Sequence, residues 1–150
     1  MPSECSWDGA SRGPSDIATI RRYPHSMADT ADLARNYLSH LTNREWDAWS
    51  ALLHPDVIYT TPQSRERRRG REAFLRFNQE YPGDWQLTEK WVLGDTDRAV
   101  IWFAWTVGDD CGDAQSFLSF DDSGRITEIT EFWPEPYDDP DRATPATERF

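Results

Sequence analysis

From Trp85 onward the chain changes its hydrophobic period. Trp85 to Leu93, Arg98 to Val107, Ala114 to Phe120 and Arg125 to Trp133 are separated by Gly94-Asp95-Thr96-Asp97, by Gly108 to Gly112 and by Asp121-Asp122-Ser123-Gly124, all turn formers. Connections this short join only antiparallel neighbours, so the second half predicts a four-strand meander. Upstream the period is helical. Ser26-Met27-Ala28-Asp29 has the spacing of a capping box, and Leu33, Tyr37, Leu38 and Leu41 follow on one helix face. Thr42-Asn43-Arg44-Glu45 repeats the cap before Trp46, Trp49, Leu52 and Leu53, and His54-Pro55-Asp56 stops this second helix, with His54 read as its dipole-stabilised C-terminal residue. Val57 to Thr61 reads as a strand ended, or confined to an edge, by Pro62. Gly70 then opens a third helix carrying Phe74, Phe77 and Tyr81. Helices first and a meander last predict an α+β fold, the sheet curling around the helices.

A length of 150 residues suits one domain. Residues 1–27 are poor in apolar side chains and carry Gly9, Gly13, Pro14 and Pro24 without any period, so they predict a disordered extension, with Met27 as an alternative start. The domain is expected over 28–137, and 138–150 reads as an acidic, Pro-rich tail. A net charge of -11 repels nucleic acid and anionic membranes. No apolar run approaches the ~20 residues of a membrane helix. Cys5 and Cys111 show neither a metal-ligand spacing nor a disulfide framework and are expected as unpaired thiols in a reducing cytoplasm.

The order of elements and several short motifs carry a resemblance. Tyr37 through Leu41, Trp46-Asp47-Ala48, His54-Pro55-Asp56-Val57, Gly70-Arg71-Glu72-Ala73-Phe74 and the final strand from Gly124-Arg125-Ile126 to Phe132-Trp133 are together similar to the nuclear transport factor 2-like superfamily, and more narrowly to a SnoaL-like domain. The resemblance implies a cone-shaped α+β barrel: a curved antiparallel sheet wraps the first helix, and an apolar pocket opens at one end. No cofactor is expected. Isomerases, cyclases, dehydratases, epoxide hydrolases and non-catalytic binders share this fold, so the fold alone selects none of them. In the ketosteroid isomerase branch a carboxylate base works with a Tyr and a neutral Asp as oxyanion donors. Tyr37 matches the Tyr donor. Thr61, directly before Pro62, stands where the base would be, and Ser116 stands where the second donor would be. A Thr hydroxyl is no base near neutral pH, and the absence of an acid at Ser116 also weakens the analogy with polyketide cyclases.

Strand parity nominates the other site residues. Ile101, Phe103, Trp105 and Val107 form the more apolar set of their strand and should face inward. In the last strand both sets are mixed, and the resemblance places Ile129 and Trp133 in the pocket, which would bring Glu131 inside with them. A carboxylate there would be desolvated and its pKa raised, as a general acid or base near neutrality requires; alternatively Glu131 pairs with an Arg at the mouth or reaches solvent. Glu89 is either a second inward acid or an edge-strand charge that deters aggregation. His40, three residues after Tyr37, is a candidate pocket residue or a packed helical histidine. No histidine pair with an acid has metal-ligand spacing, so no metal is expected. Arg65, Arg67, Arg68, Arg69 and Arg71 form either an anion-receiving rim or a solvated run. Trp102, Phe117, Ile126 and Phe132, on the opposite parity, predict a second apolar face and a homodimer through it.

Three functions remain open on these grounds. One is a binder of an apolar or polycyclic small molecule, held by Phe103, Trp105, Ile129, Trp133 and His40 and oriented by Tyr37 and Thr61. Another is an isomerase, cyclase or lyase using Glu131 as acid/base with Tyr37 and Ser116 as oxyanion donors. The last is a protein-interaction module, expected if the cone were filled by its own side chains.

Overall fold

A computed structural model describes residues 29–137 and 144–148. The expected extension at 1–27 and the start of the tail lie outside the described residues. Helix α1 (Thr30–Thr42) begins at Asp29, whose side chain accepts from the Ala31 N–H at 3.0 Å. Asp29 is therefore itself the cap, not the third helical position of a box begun at Ser26, which is not among the described residues. Helix α2 (Trp46–Ala51) has Glu45 at its N-cap without a side-chain cap bond. Thr42, expected to cap α2, instead accepts from the Leu87 N–H at 3.0 Å and ties the end of α1 to the sheet.

Strand β1 (Leu53–Thr61) starts at Leu53, earlier than Val57. His54 is thus a strand residue rather than a helix end, and its Nδ1 accepts from the Asp56 N–H at 3.0 Å. The Arg run forms β2 (Glu66–Arg69), followed by α3 (Arg71–Glu80) and the meander β3 (Trp85–Gly94), β4 (Arg98–Val107), β5 (Asp110–Phe120) and β6 (Ile126–Phe132). The sheet order is β2-β1-β6-β5-β4-β3. It is antiparallel except at β1–β6, which pair in parallel, and it curves without closing, leaving β2 and β3 as edges. Helix α1 packs on β3 and β4, and α3 on β1. Ala34, Tyr37, Leu38 and Leu41 of α1 meet Ile101, Phe103, Leu118 and Ile129 of the sheet in one core. Gly94 permits the close approach of α1, since a Cβ there would lie 2.5 Å from the Ala31 nitrogen.

Two bulges reassign faces. In β3 the register passes from Glu89↔Phe103 to Trp91↔Trp102, leaving Lys90 extra. Val92 is consequently buried, while Trp91 and Leu93 turn outward. Glu89 stays exposed on this edge strand and pairs with Arg35 at 3.4 Å. In β6 the register passes from Ser119↔Glu128 to Phe120↔Ile126, leaving Thr127 extra. Ile126, expected on the outer face, is therefore in the core at 1% exposure, so the outer apolar set is Trp102, Phe117 and Phe132 joined by Trp91. Cys111 is disulfide-bonded, against the expectation of an unpaired thiol. The other cysteine, Cys5, lies outside the described residues, and the thiol argument for a reducing cytoplasm is withdrawn. Among the described residues no helix is long and apolar enough to cross a membrane.

Candidate functional site

Between α1, α3 and the concave face of the sheet lies a pocket of about 810 Å³, the size range of small-molecule sites. Its aromatic walls come from β4, α3 and the segment after β6. Phe103 and Trp133 meet edge to face at 5.7 Å between centroids, and Trp105 and Trp133 lie 6.1 Å apart. Trp105 rests flat against the sheet because its cross-strand partner is Gly112, where a Cβ would come within 2.9 Å of the indole.

Glu131 lies at the base, only 6% exposed. The register pair Ser116↔Glu131 puts the Ser116 hydroxyl against Oε2. Tyr59, on the adjacent strand β1, donates its O–H to Oε1 at 2.7 Å, and the Trp133 indole N–H donates to the same oxygen at 2.9 Å. Burial raises the Glu131 pKa above the ordinary carboxylate value, while the hydrogen bonds from Ser116, Tyr59 and Trp133 pull it back by favouring the anion. No cation lies within ion-pairing distance of it among the described residues. Burial, and then the Glu131 charge, raise the phenol pKa of Tyr37 and of Tyr59, so both are O–H donors at neutral pH.

Three lining residues, Tyr37 (Oη), Arg68 (Nη1) and Trp105 (Nε1), carry buried polar atoms with no hydrogen-bond partner among the described residues. Each such group costs about 1–3 kcal/mol if nothing answers it. The lining residues thus include unsatisfied buried donors and a carboxylate whose own acceptor oxygens are occupied.

Of the residues nominated from sequence, Tyr37, Thr61, Phe103, Trp105, Glu131 and Trp133 line this pocket. Thr61 is buried, and its hydroxyl lies 2.9 Å from that of Ser64. Three nominated residues do not line it. Ser116 is buried beneath Glu131, its hydroxyl committed to the carboxylate. Ile129 faces inward but lies two residues before Glu131 on β6 and packs in the closed core. His40 sits beside the α1 face that Tyr37 and Leu41 present to the pocket, and its ring bonds to Glu45 instead. Tyr59 was not nominated, and Arg68 was named only as one of a run read as either an anion-receiving rim or a solvated stretch. The alternation Val57, Tyr59, Thr61 contains the signal for Tyr59, because Thr61 and Tyr59 share a face. Arg68 needed the β1–β2 register, which places it opposite Tyr59. Among the described residues no group of three or more His, Cys, Asp or Glu is arranged to hold a metal.

A family model for the SnoaL-like domain matches residues 34–129. A solved structure from Kribbella flavida, described as a candidate ketosteroid isomerase, is 44% identical, with a TM-score of 0.76 over 81% of this chain and 89% of that one. A candidate polyketide cyclase from Xanthomonas campestris is 20% identical, with a TM-score of 0.60 over 70% of this chain and 90% of that one. A ketosteroid isomerase-like fold from Catenulispora acidiphila, solved in complex with trimethylamine, is 13% identical, with a TM-score of 0.59 over 68% and 85%. The last two likenesses speak for the fold alone. No curated protein sequence matches this chain significantly.

Proposed function

Because the chain belongs to the SnoaL-like family, a fold related to ketosteroid isomerases and polyketide cyclases, we propose that it binds an apolar, oxygen-bearing small molecule in the pocket above Glu131. The observation that carries this reading is an aromatic cavity whose lining includes Tyr37 and Trp105, each with a buried polar atom that has no partner among the described residues. Rings stack against Phe103, Trp105 and Trp133, and a carbonyl oxygen accepts from Tyr37. Thr61 borders the site without supplying a base. An interaction module would need a cone filled by its own side chains, and the open pocket opposes that reading.

The Tyr37 hydroxyl near a buried carboxylate favours a second reading, in which Glu131 exchanges a proton α to the bound carbonyl while Tyr37 stabilises the enolate oxygen. Ser116 then positions Glu131 rather than touching the oxyanion. 2-Acetylnaphthalene tests both readings, since it is aromatic and enolisable. Saturable quenching of tryptophan fluorescence, weakened about tenfold or more by Trp105→Ala, is the expected binding result; an unsaturable response would overturn the binder. Deuterium uptake at the methyl group in heavy water, lost in Glu131→Gln while binding persists, is the expected catalytic result. Uptake no faster than in buffer leaves a binder only.

We also propose a homodimer through the outer sheet face. Phe117 is 50% and Trp91 41% exposed there, and the Phe117 and Phe132 rings lie 6.0 Å apart at its centre. Light scattering should give twice the chain mass, and Phe117→Glu should halve it; a monomeric wild type would remove the proposal.

A further inference from the structure

Resting on the pocket reading above, we propose that Arg68 is an anion subsite, so that the ligand is an aromatic or polycyclic carboxylate. Its acid group would sit at the guanidinium and its rings against Trp105 and Trp133.

The register of β1 with β2 divides the Arg run into two kinds of residue. Tyr59↔Arg68 puts Arg68 on the inner face, whereas Arg65, Arg67 and Arg69 are exposed. Arg68 is the one Lys or Arg among the described residues that line the pocket, and it stands among the acids Glu66, Glu131 and Glu135. Its guanidinium carbon lies 3.6 Å from the centroid of the Phe77 ring, which fixes the plane of the fork and the path of its stem. On one side Nη2 reaches Glu66 at 3.5 Å. That carboxylate is more than half exposed and also accepts from Ser64 at 2.7 Å, so it answers Arg68 weakly. On the other side Nη1 is buried and has no partner among the described residues.

Two plainer roles fail to account for this. A solvated arginine would not bury one end of its fork, and a counter-ion for Glu131 would lie within ion-pairing distance of it, whereas Arg68 pairs only with Glu66 among the described residues. A carboxylate is the planar acceptor whose two oxygens match such a fork. In a chain of net charge -11, one inward cation decides whether an anionic ligand is admitted at all. A neutral ligand could satisfy Tyr37 and Trp105 but would leave the Arg68 charge unanswered.

The test compares 2-naphthoate with 2-naphthamide, equal in shape and differing in charge, by tryptophan quenching of the full chain at neutral pH. The wild type should bind the acid about tenfold or more tightly than the amide. That preference should shrink as salt rises from about 20 to about 500 mM, because part of the attraction is screened. Arg68→Met, which keeps an apolar stem on Phe77, should bring the two affinities to parity; Arg68→Lys should retain part of the preference. Amide binding with no wild-type preference for the acid overturns the anion subsite and leaves the pocket reading intact. Binding of neither compound overturns both. A preference that survives in Arg68→Met, or in the wild type one that salt does not touch, overturns the role of Arg68, and the salt series needs no variant to fold.

Discussion

Two carboxylates on opposite faces of the same sheet have met burial differently. Asp113 of β5, on the outer face, accepts from the Trp102 indole N–H at 2.9 Å and from the Lys90 ammonium at 2.7 Å. Lys90 in turn lies over the Trp102 ring, 4.7 Å from its centroid. Glu131 of β6, on the inner face, has an indole of its own in Trp133 but receives hydroxyls from Tyr59 and Ser116 where Asp113 receives a cation. A full positive charge compensates a carboxylate directly, whereas three neutral dipoles compensate it only in part, so burial prevails and the proton is held more tightly. The outer acid is locked in an ion pair. The inner acid lines the pocket, has no cation beside it among the described residues and holds its proton above the ordinary range, which makes it, and not Asp113, the candidate for chemistry.

The contrast can be broken by deletion. Glu131→Leu leaves the Tyr59, Ser116 and Trp133 donors without their acceptor, and we expect a loss of about 3 kcal/mol in denaturant unfolding. Gly112→Ala drives a methyl into the Trp105 indole, which must move from its seat; a loss of about 2 kcal/mol is expected, together with a shifted tryptophan emission spectrum. Asp113→Ala removes only a partly exposed pair and one indole bond, and about 1 kcal/mol should go, less at high salt. Equal costs for the Glu131 and Asp113 deletions would show that the two acids are alike after all.

How far this contrast could be read from sequence depends on what sets each residue's face. Trp105 and Phe103 were legible because β4 is regular and its period of two decides its facing. Glu131 and Ile129 needed the family resemblance, since both parities of the last strand are mixed. Ile126 was misassigned and Trp91 was left out of the outer set for one reason: an extra residue, Thr127 in β6 and Lys90 in β3, inverts the parity on one side of it, and nothing in composition marks a bulge. Arg68 was hidden inside a run of like residues. Its facing comes from pairing with β1, a tertiary fact with no local signature. Cys111 failed similarly, its bond depending on where the chain goes rather than on spacing.

The smallest expected effect is the one that addresses protonation most directly. Folding raises the pKa of Glu131 above its ordinary value of 4.5. Well below pH 4.5 the carboxyl is protonated in both the folded and unfolded chains and contributes no pH dependence. As pH rises past 4.5 the unfolded chain releases its proton while the folded chain keeps it, so stability falls until pH reaches the raised folded value. The loss is about 1.4 kcal/mol for each pH unit by which folding raises the pKa. Glu131→Gln cannot titrate, and its side-chain oxygen still accepts from Tyr59 and Trp133. The difference in unfolding free energy between wild type and Glu131→Gln should therefore decline from pH 4 toward neutrality, because burial outweighs the three donors that offset part of it. A flat difference for Glu131 would mean that the hydroxyls and the indole hold its anion as well as an ammonium does, and the inner acid would lose its distinction from the outer one.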